Sequence, residues 1–132
     1  MLDNFSIVSL DARAQCTTRQ PTPPHKCVRG SPVQVFHKHV ETPDGLFTAG
    51  IWECEAGSFT VQFTGYEFAH LLEGEIHIED QSGEVLRFLP GMQLVFPAGY
   101  TGTWHVLTNA RKAFAWHEII PVSSETATHE SV

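Results

Sequence analysis

Between residues 33 and 120, apolar side chains recur at every second position in short runs: VQVFHKHV, LFTAGIWECE, SFTVQF, FAHLL, EIHIE, EVLRFL, MQLVFP, TWHVL and KAFAWHEII. A period of two is the strand period, because successive side chains of an extended chain point to opposite faces. Turn residues punctuate the runs at Pro43-Asp44-Gly45, Ala56-Gly57, Gly65, Ser82-Gly83, Pro90-Gly91, Ala98-Gly99 and Gly102. The stretch FTGYEFAHLLEGEIHIED, Phe63 to Asp80, reads as strand, tight turn at Glu73-Gly74-Glu75, and strand. No segment carries an apolar stripe of helical period, and one short helix at most fits around Ser9 to Gln15. About eight or nine antiparallel strands must close into a barrel or stack as a sandwich, since open edges invite aggregation.

Upstream, CTTRQPTPPHKCVRGSP (Cys16 to Pro32) carries four prolines and excludes a helix or a central strand. Residues 1–31 are therefore expected as an irregular N-terminal arm, 32–121 as the β domain, and the polar VSSETATHESV, 122–132, as a disordered tail.

The length of 132 residues with 42% apolar content suits one domain with one core. A net charge of -7 without any Lys/Arg-rich run excludes a nucleic-acid partner. No stretch reaches membrane-spanning length and the first residues lack a basic, apolar leader, so no membrane partner is expected and the expected location is cytoplasmic. Cys16, Cys27 and Cys54 form no CxxC pair, which argues against a disulfide framework and a thiolate metal site.

Two spacings carry a resemblance. Glu67 lies seven positions before Gly74, and Gly91 is followed by Pro97 and Gly99 in GMQLVFPAGYTG. These resemble the two cupin motifs, G-x5-H-x-H-x3,4-E-x6-G and G-x5-P-x-G-x2-H-x3-N. GIWECEAGSF, YEFAHLLEGEIHI, FPAGYTGTWHV and the basic pair in NARKAF look like the ureidoglycine-aminohydrolase-like, or cupin-3, branch. The resemblance implies an all-β, antiparallel jelly-roll barrel with a ligand pocket between the motif-bearing strands. It also implies a homodimer, for which the Pro-rich arm would cover an exposed edge.

The chain departs from that pattern where function resides. The two histidine positions before Glu67 hold Val61 and Phe63, the second-motif histidine position holds Gly102, and Val106 stands where asparagine would fall. Glu67 alone survives from the metal-ligand set, and one carboxylate cannot hold a transition metal tightly. No cofactor is therefore expected. The alternative is Mn, Zn or another divalent transition metal on Glu67 with His70 or His105, although both histidines fall one step out of phase with the inward residues.

Alternation places Phe59, Val61 and Phe63 on one face, Glu67, Ala69 and Leu71 on another inward face, and Trp104 and Val106 in phase with Gly102. The expected pocket is lined by Glu67, Trp104, Phe63, Val61, Gly102 and Trp52: an apolar wall, one carboxylate and an indole N–H, with room beside Gly102. Glu67 is either a ligand-facing group, the candidate catalytic residue, or a structural carboxylate satisfied by a backbone or indole donor or by Arg87 or Arg111. His37 and His39 share one strand face and read as surface; Cys54 reads as a buried structural thiol. No G-x-S-x-G elbow supports a triad hydrolase.

The leading functional expectation is a small-molecule-binding cupin without the three-histidine metal site, recognising a small polar, ureido- or amide-containing metabolite. The alternative is a metal-dependent ureidoglycine-aminohydrolase-like enzyme acting on a C–N bond, for which this chain has one domain where that family's enzymes look like fused pairs.

Overall fold

The computed structural model describes residues 6–119, so the expectation for residues 122–132 falls outside it. Among the described residues nine strands form: β1 Cys16–Pro21, β2 Cys27–Arg29, β3 Val33–Glu41, β4 Phe47–Cys54, β5 Gly57–Gln62, β6 Gly65–Asp80, β7 Val85–Phe88, β8 Gln93–Phe96 and β9 Thr101–Glu118. The one helical element among the described residues is a 3-10 turn at Pro24–Lys26, and the stretch around Ser9, where at most a short helix fits the sequence, holds a turn.

Every strand pairing is antiparallel. The two long strands, β6 and β9, pair with each other from Gly65↔Glu118 to Asp80↔Gly102 and run through both layers of the barrel. One layer runs β1, β3, β4, the second half of β9, the first half of β6, and β8. The other runs β2, β5, the first half of β9, the second half of β6, and β7. This is the jelly-roll barrel, and its core lies between the layers.

Two sequence expectations are corrected here. Glu73-Gly74-Glu75 is not a turn between strands: β6 continues through it, with register shifts at Leu71/Glu73, Glu73/Glu75 and Glu75/Ile76. Bulges are needed because the inward residues are Glu67, Ala69 and Leu71 before the glycine and Ile76 and Ile78 after it, a change from odd to even positions. Gly74 has φ +91°, and a Cβ there would lie 2.6 Å from the Asn109 carbonyl oxygen, so the crossing of the layers requires glycine. The arm is also less irregular than its prolines imply. Cys16–Pro21 pairs with β3 and Cys27–Arg29 with β5, both at sheet edges, where a missing N–H costs no ladder hydrogen bond.

The core is aromatic. Phe63 meets Trp116 edge-on at 5.1 Å between ring centroids, and Phe96 at 5.5 Å. Trp52 meets Trp104 at 5.7 Å and 89°. Such edge-to-face pairs add about 0.5–1.5 kcal/mol each beyond the area they bury. One chain of buried polar groups is paired throughout: the Trp52 indole N–H donates to Gln34 Oε1, Gln34 Nε2 donates to Thr22 Oγ1, and Thr22 Oγ1 donates to the Pro32 carbonyl. That relay ties the arm to the barrel interior.

Candidate functional site

Glu67 sits in the first half of β6, where its alternation with Ala69 and Leu71 points it into the barrel, and only 1% of it is exposed. Across the β6–β9 ladder the inward residues of β9 are Ala110, Lys112, Phe114 and Trp116, all buried. Lys112 therefore enters the core in phase with apolar neighbours, 2% exposed, and its Nζ lies 2.6 Å from Glu67 Oε2. The contact is an ion pair by distance, but its angle departs from that of a directed hydrogen bond, and Oε2 has no directed donor.

Two indoles complete the arrangement. Nζ lies 4.4 Å from the Trp52 ring centroid and 4.3 Å from that of Trp104, well within cation–π range. Burial pushes the Glu67 carboxyl above its ordinary range, opposed by the adjacent ammonium, and burial pulls the Lys112 amine down, opposed by the carboxylate. The ring faces attract only the charged amine, so the aromatic box and the carboxylate together hold an ammonium–carboxylate pair.

All six residues expected to line a pocket, Glu67, Trp104, Phe63, Val61, Gly102 and Trp52, face this interior, but the interior is filled. Trp52, Phe63, Val61 and Trp104 are buried, and the expected space beside Gly102 holds the Tyr100 hydroxyl, which a Cβ on Gly102 would strike. The Trp104 indole N–H donates to Tyr100 Oη at 3.2 Å instead of reaching Glu67. Arg87 and Arg111 do not satisfy Glu67 either, since they pair on the outer faces with Glu75 and Glu53.

The same geometry tests whether the barrel fits a transition metal. Val61, Phe63 and Gly102 have no donor atoms, and the remaining carboxylate is covered by an ammonium. His70 lies on the outer side of β6, and His105 is engaged on the outer face by Ser58 Oγ at 2.9 Å and Glu79 Oε1 at 3.1 Å. Neither comes to Glu67. Among the described residues no group of three or more His, Cys, Asp or Glu side chains is placed to hold a metal ion. The residues present do not fit the centre.

Lys112 was the residue missed. Its signal was available: a charged side chain in strict alternation with Ala110, Phe114 and Trp116. Cys54, on the inward face of β4 beside Trp52, is buried, and burial pushes its thiol up to about 12. His39, expected at the surface, is buried beneath residues of the N-terminal segment.

The barrel opens between β7 and β8. A recess of about 480 Å³ lies there, walled by Ile78, Leu86, Leu94, Phe96 and Tyr100, with Asp80 and Glu84 also lining it. Its floor is the Tyr100–Phe96 pair at 5.1 Å, and Phe96 packs against Trp104 at 5.3 Å. The recess is thus separated from the buried ion pair by Tyr100, Phe96 and Trp104.

A jelly-roll barrel with the glycine–proline framework of both motifs, a carboxylate at the metal-ligand position and a pocket mouth between β7 and β8 is a cupin. The model of the EutQ-like cupin domain matches residues 41–114, and the chain belongs to that family. Among solved structures it is similar to a Pseudomonas syringae pv. tomato protein of unknown function, with TM-score 0.70 and 19% identity, over 80% of this chain and 46% of that one. It is also similar to a putative ethanolamine utilization protein Q from Salmonella typhimurium, with TM-score 0.58 and 21% identity over 71% and 72% of the two chains. Ectoine synthase from P. lautus matches with TM-score 0.58 and 19% identity over 73% and 83%. These likenesses are of fold, and the chain spans about half the length of the first. No curated protein matches.

Proposed function

We propose that this chain is a small-molecule-binding cupin that works without a resident transition metal and takes its ligand in the recess above Tyr100. The observation that carries the reading is the Lys112 ammonium 2.6 Å from Glu67, because it puts a positive charge of the chain's own beside the carboxylate that would otherwise serve a metal. A carboxylate so paired and enclosed cannot reach a substrate proton, so the reading is of binding rather than acid–base catalysis. The recess supplies apolar walls and two carboxylates, Asp80 and Glu84, a combination suited to a small nitrogenous metabolite with an apolar body and an amide, ureido or ammonium group.

The experiment pairs elemental analysis of protein purified without chelator with a ligand-observed NMR screen of small amides, ureides and alkylammonium ions. Expected are no stoichiometric transition metal and at least one hit that is lost in Leu94→Trp, which fills the recess. Stoichiometric metal, or hits unaffected by Leu94→Trp but lost in Glu67→Gln, overturns the reading.

A further inference from the structure

The outer face of the β1–β3–β4–β9 layer carries a second recess, of about 590 Å³, between the sheet and the N-terminal segment. Residues 9–15 form a strap over it. The strap turns at Ser9, whose carbonyl accepts from the Ala12 N–H and whose hydroxyl accepts from the Asp11 N–H, and just before β1 it is tied to β3 by the Gln15 N–H, which donates to the Lys38 carbonyl. Beneath it lie His37, His39, Ile51, Glu53 and Arg111.

The two histidines differ in what they face. His37 has a hydroxyl on one side and a carboxylate on the other: Nδ1 is 3.1 Å from Thr17 Oγ1 and Nε2 is 3.1 Å from Glu53 Oε1. A neutral imidazole satisfies both, with the threonine O–H donating to one nitrogen and the other nitrogen donating to the carboxylate. His39, 3% exposed, has a backbone carbonyl on each side: Nε2 is 2.9 Å from the Ala12 oxygen and Nδ1 is 3.2 Å from the His37 oxygen. A carbonyl oxygen only accepts, and a neutral imidazole has a single N–H. In the neutral form one ring nitrogen would turn its lone pair toward a carbonyl lone pair inside a covered site, whereas the imidazolium donates on both sides.

We infer that His39 is an imidazolium whose two N–H groups fasten the strap at Ala12 to β3, so that residues 9–15 form a proton-dependent cover over the outer-face recess. The charged groups of the lining balance one another: Asp11 and Arg13 come from the strap, His37 from β3, Glu53 from β4 and Arg111 from β9. Glu53 is shared between His37 Nε2 and Arg111 Nε, the latter at 3.5 Å, and the strap adds one acid and one base, so the two carbonyls decide the proton count of His39. Closure brings the Ala12 carbonyl to Nε2, and through that bond protonation and closure favour one another. Both bonds are made only while the ring carries both protons, and a ring that loses one must give up one of the two.

The test uses the full chain. Long-range proton–nitrogen NMR of the imidazoles reads the charge state directly, and hydrogen-exchange protection factors of the strap amides read its closure from about pH 5.5 to pH 8. Expected are a His39 ring with both nitrogens protonated while the strap is closed, and protection at Ala12 to Gln15 falling about tenfold across the range, the equivalent of one charge-assisted hydrogen bond. His39→Gln should hold protection at its low value at every pH, and His37→Gln should leave the pH dependence in place. A neutral His39 tautomer at the low end of the range, or protection that follows His37 instead, overturns the inference.

Discussion

Lys112→Met is the perturbation that interrogates the core most directly. Methionine keeps the length and apolar stem of lysine and removes the charge, leaving Glu67, 1% exposed, among Trp52, Phe63 and Trp104 with no counter-ion. At 2.6 Å and an effective dielectric constant of about 20, the gross attraction of the pair is about 6 kcal/mol, most of which offsets the desolvation of two ions. What the mutation exposes is the cost of one uncompensated buried charge, about 3–5 kcal/mol, and the two indole faces lose their cation as well. A melting-temperature drop of roughly 12–20 °C at neutral pH follows. Glu67→Gln/Lys112→Met removes both charges and should recover most of that loss.

The pH dependence has a definite sign. Burial raises the folded-state value of Glu67 above its ordinary 4.5, so this group's contribution is fully present below about 4.5 and is lost as pH rises through the folded value. Without Lys112 to oppose the rise, the loss should be larger, and Lys112→Met should approach wild-type stability on acidification. Urea denaturation of the three proteins between pH 4 and pH 8 measures this. A single mutant as stable as the double at pH 8, or one insensitive to pH, would refute the account of the core as an enclosed ion pair.

Two further outcomes follow from local geometry. Gly74→Ala must force a Cβ against the Asn109 carbonyl and the Ala110 Cα at a φ of +91°, so it should cost about 2–3 kcal/mol in denaturant unfolding, whereas Gly83→Ala, with φ +89° and nothing within 4 Å, should cost about 1 kcal/mol. Cys54, whose thiol burial lifts to about 12, should stay unmodified by a thiol reagent in the native state while exposed Cys16 reacts, and equal rates would contradict the packing of β4.

Period-two alternation is why so much was legible in the sequence. Val61 and Phe63 on β5, Glu67, Ala69 and Leu71 on β6, and Trp104 and Val106 on β9 all face inward as their phase requires. Two of the failures depended on a residue arriving from elsewhere. The space beside Gly102 is taken by the Tyr100 hydroxyl, from the residue just before β9, and no alternation rule reports a side chain that folds back over its own strand. His39 is buried because the strap crosses it, which pairing in β3 cannot show. Gly74 was read as a turn because a shift from odd to even inward positions looks the same whether the chain reverses or bulges. Lys112 lay in plain alternation with core residues but was read with its neighbour Arg111 as a basic pair, although the two face opposite sides of β9.

The inward carboxylate and the inward lysine belong to one physical argument. Val61, Phe63 and Gly102 stand where the cupin motifs place imidazoles and carry no donor side chain, and a lone buried Glu67 would be driven to its neutral form. Lys112 restores the charge balance, and Trp52 and Trp104 give its ammonium the solvation that water would have provided. The indole that solvates the ammonium also donates its N–H to Tyr100, the residue that floors the recess. A ligand that displaces Tyr100 must leave the Trp104 N–H without its acceptor or supply one, at a cost of about 1–3 kcal/mol if it does not. If the recess takes a ligand as proposed, one carrying an amide or ureido carbonyl can take over that bond, whereas an alkylammonium binds only where Tyr100 stays in place, so the Trp104–Tyr100 bond is what discriminates between them.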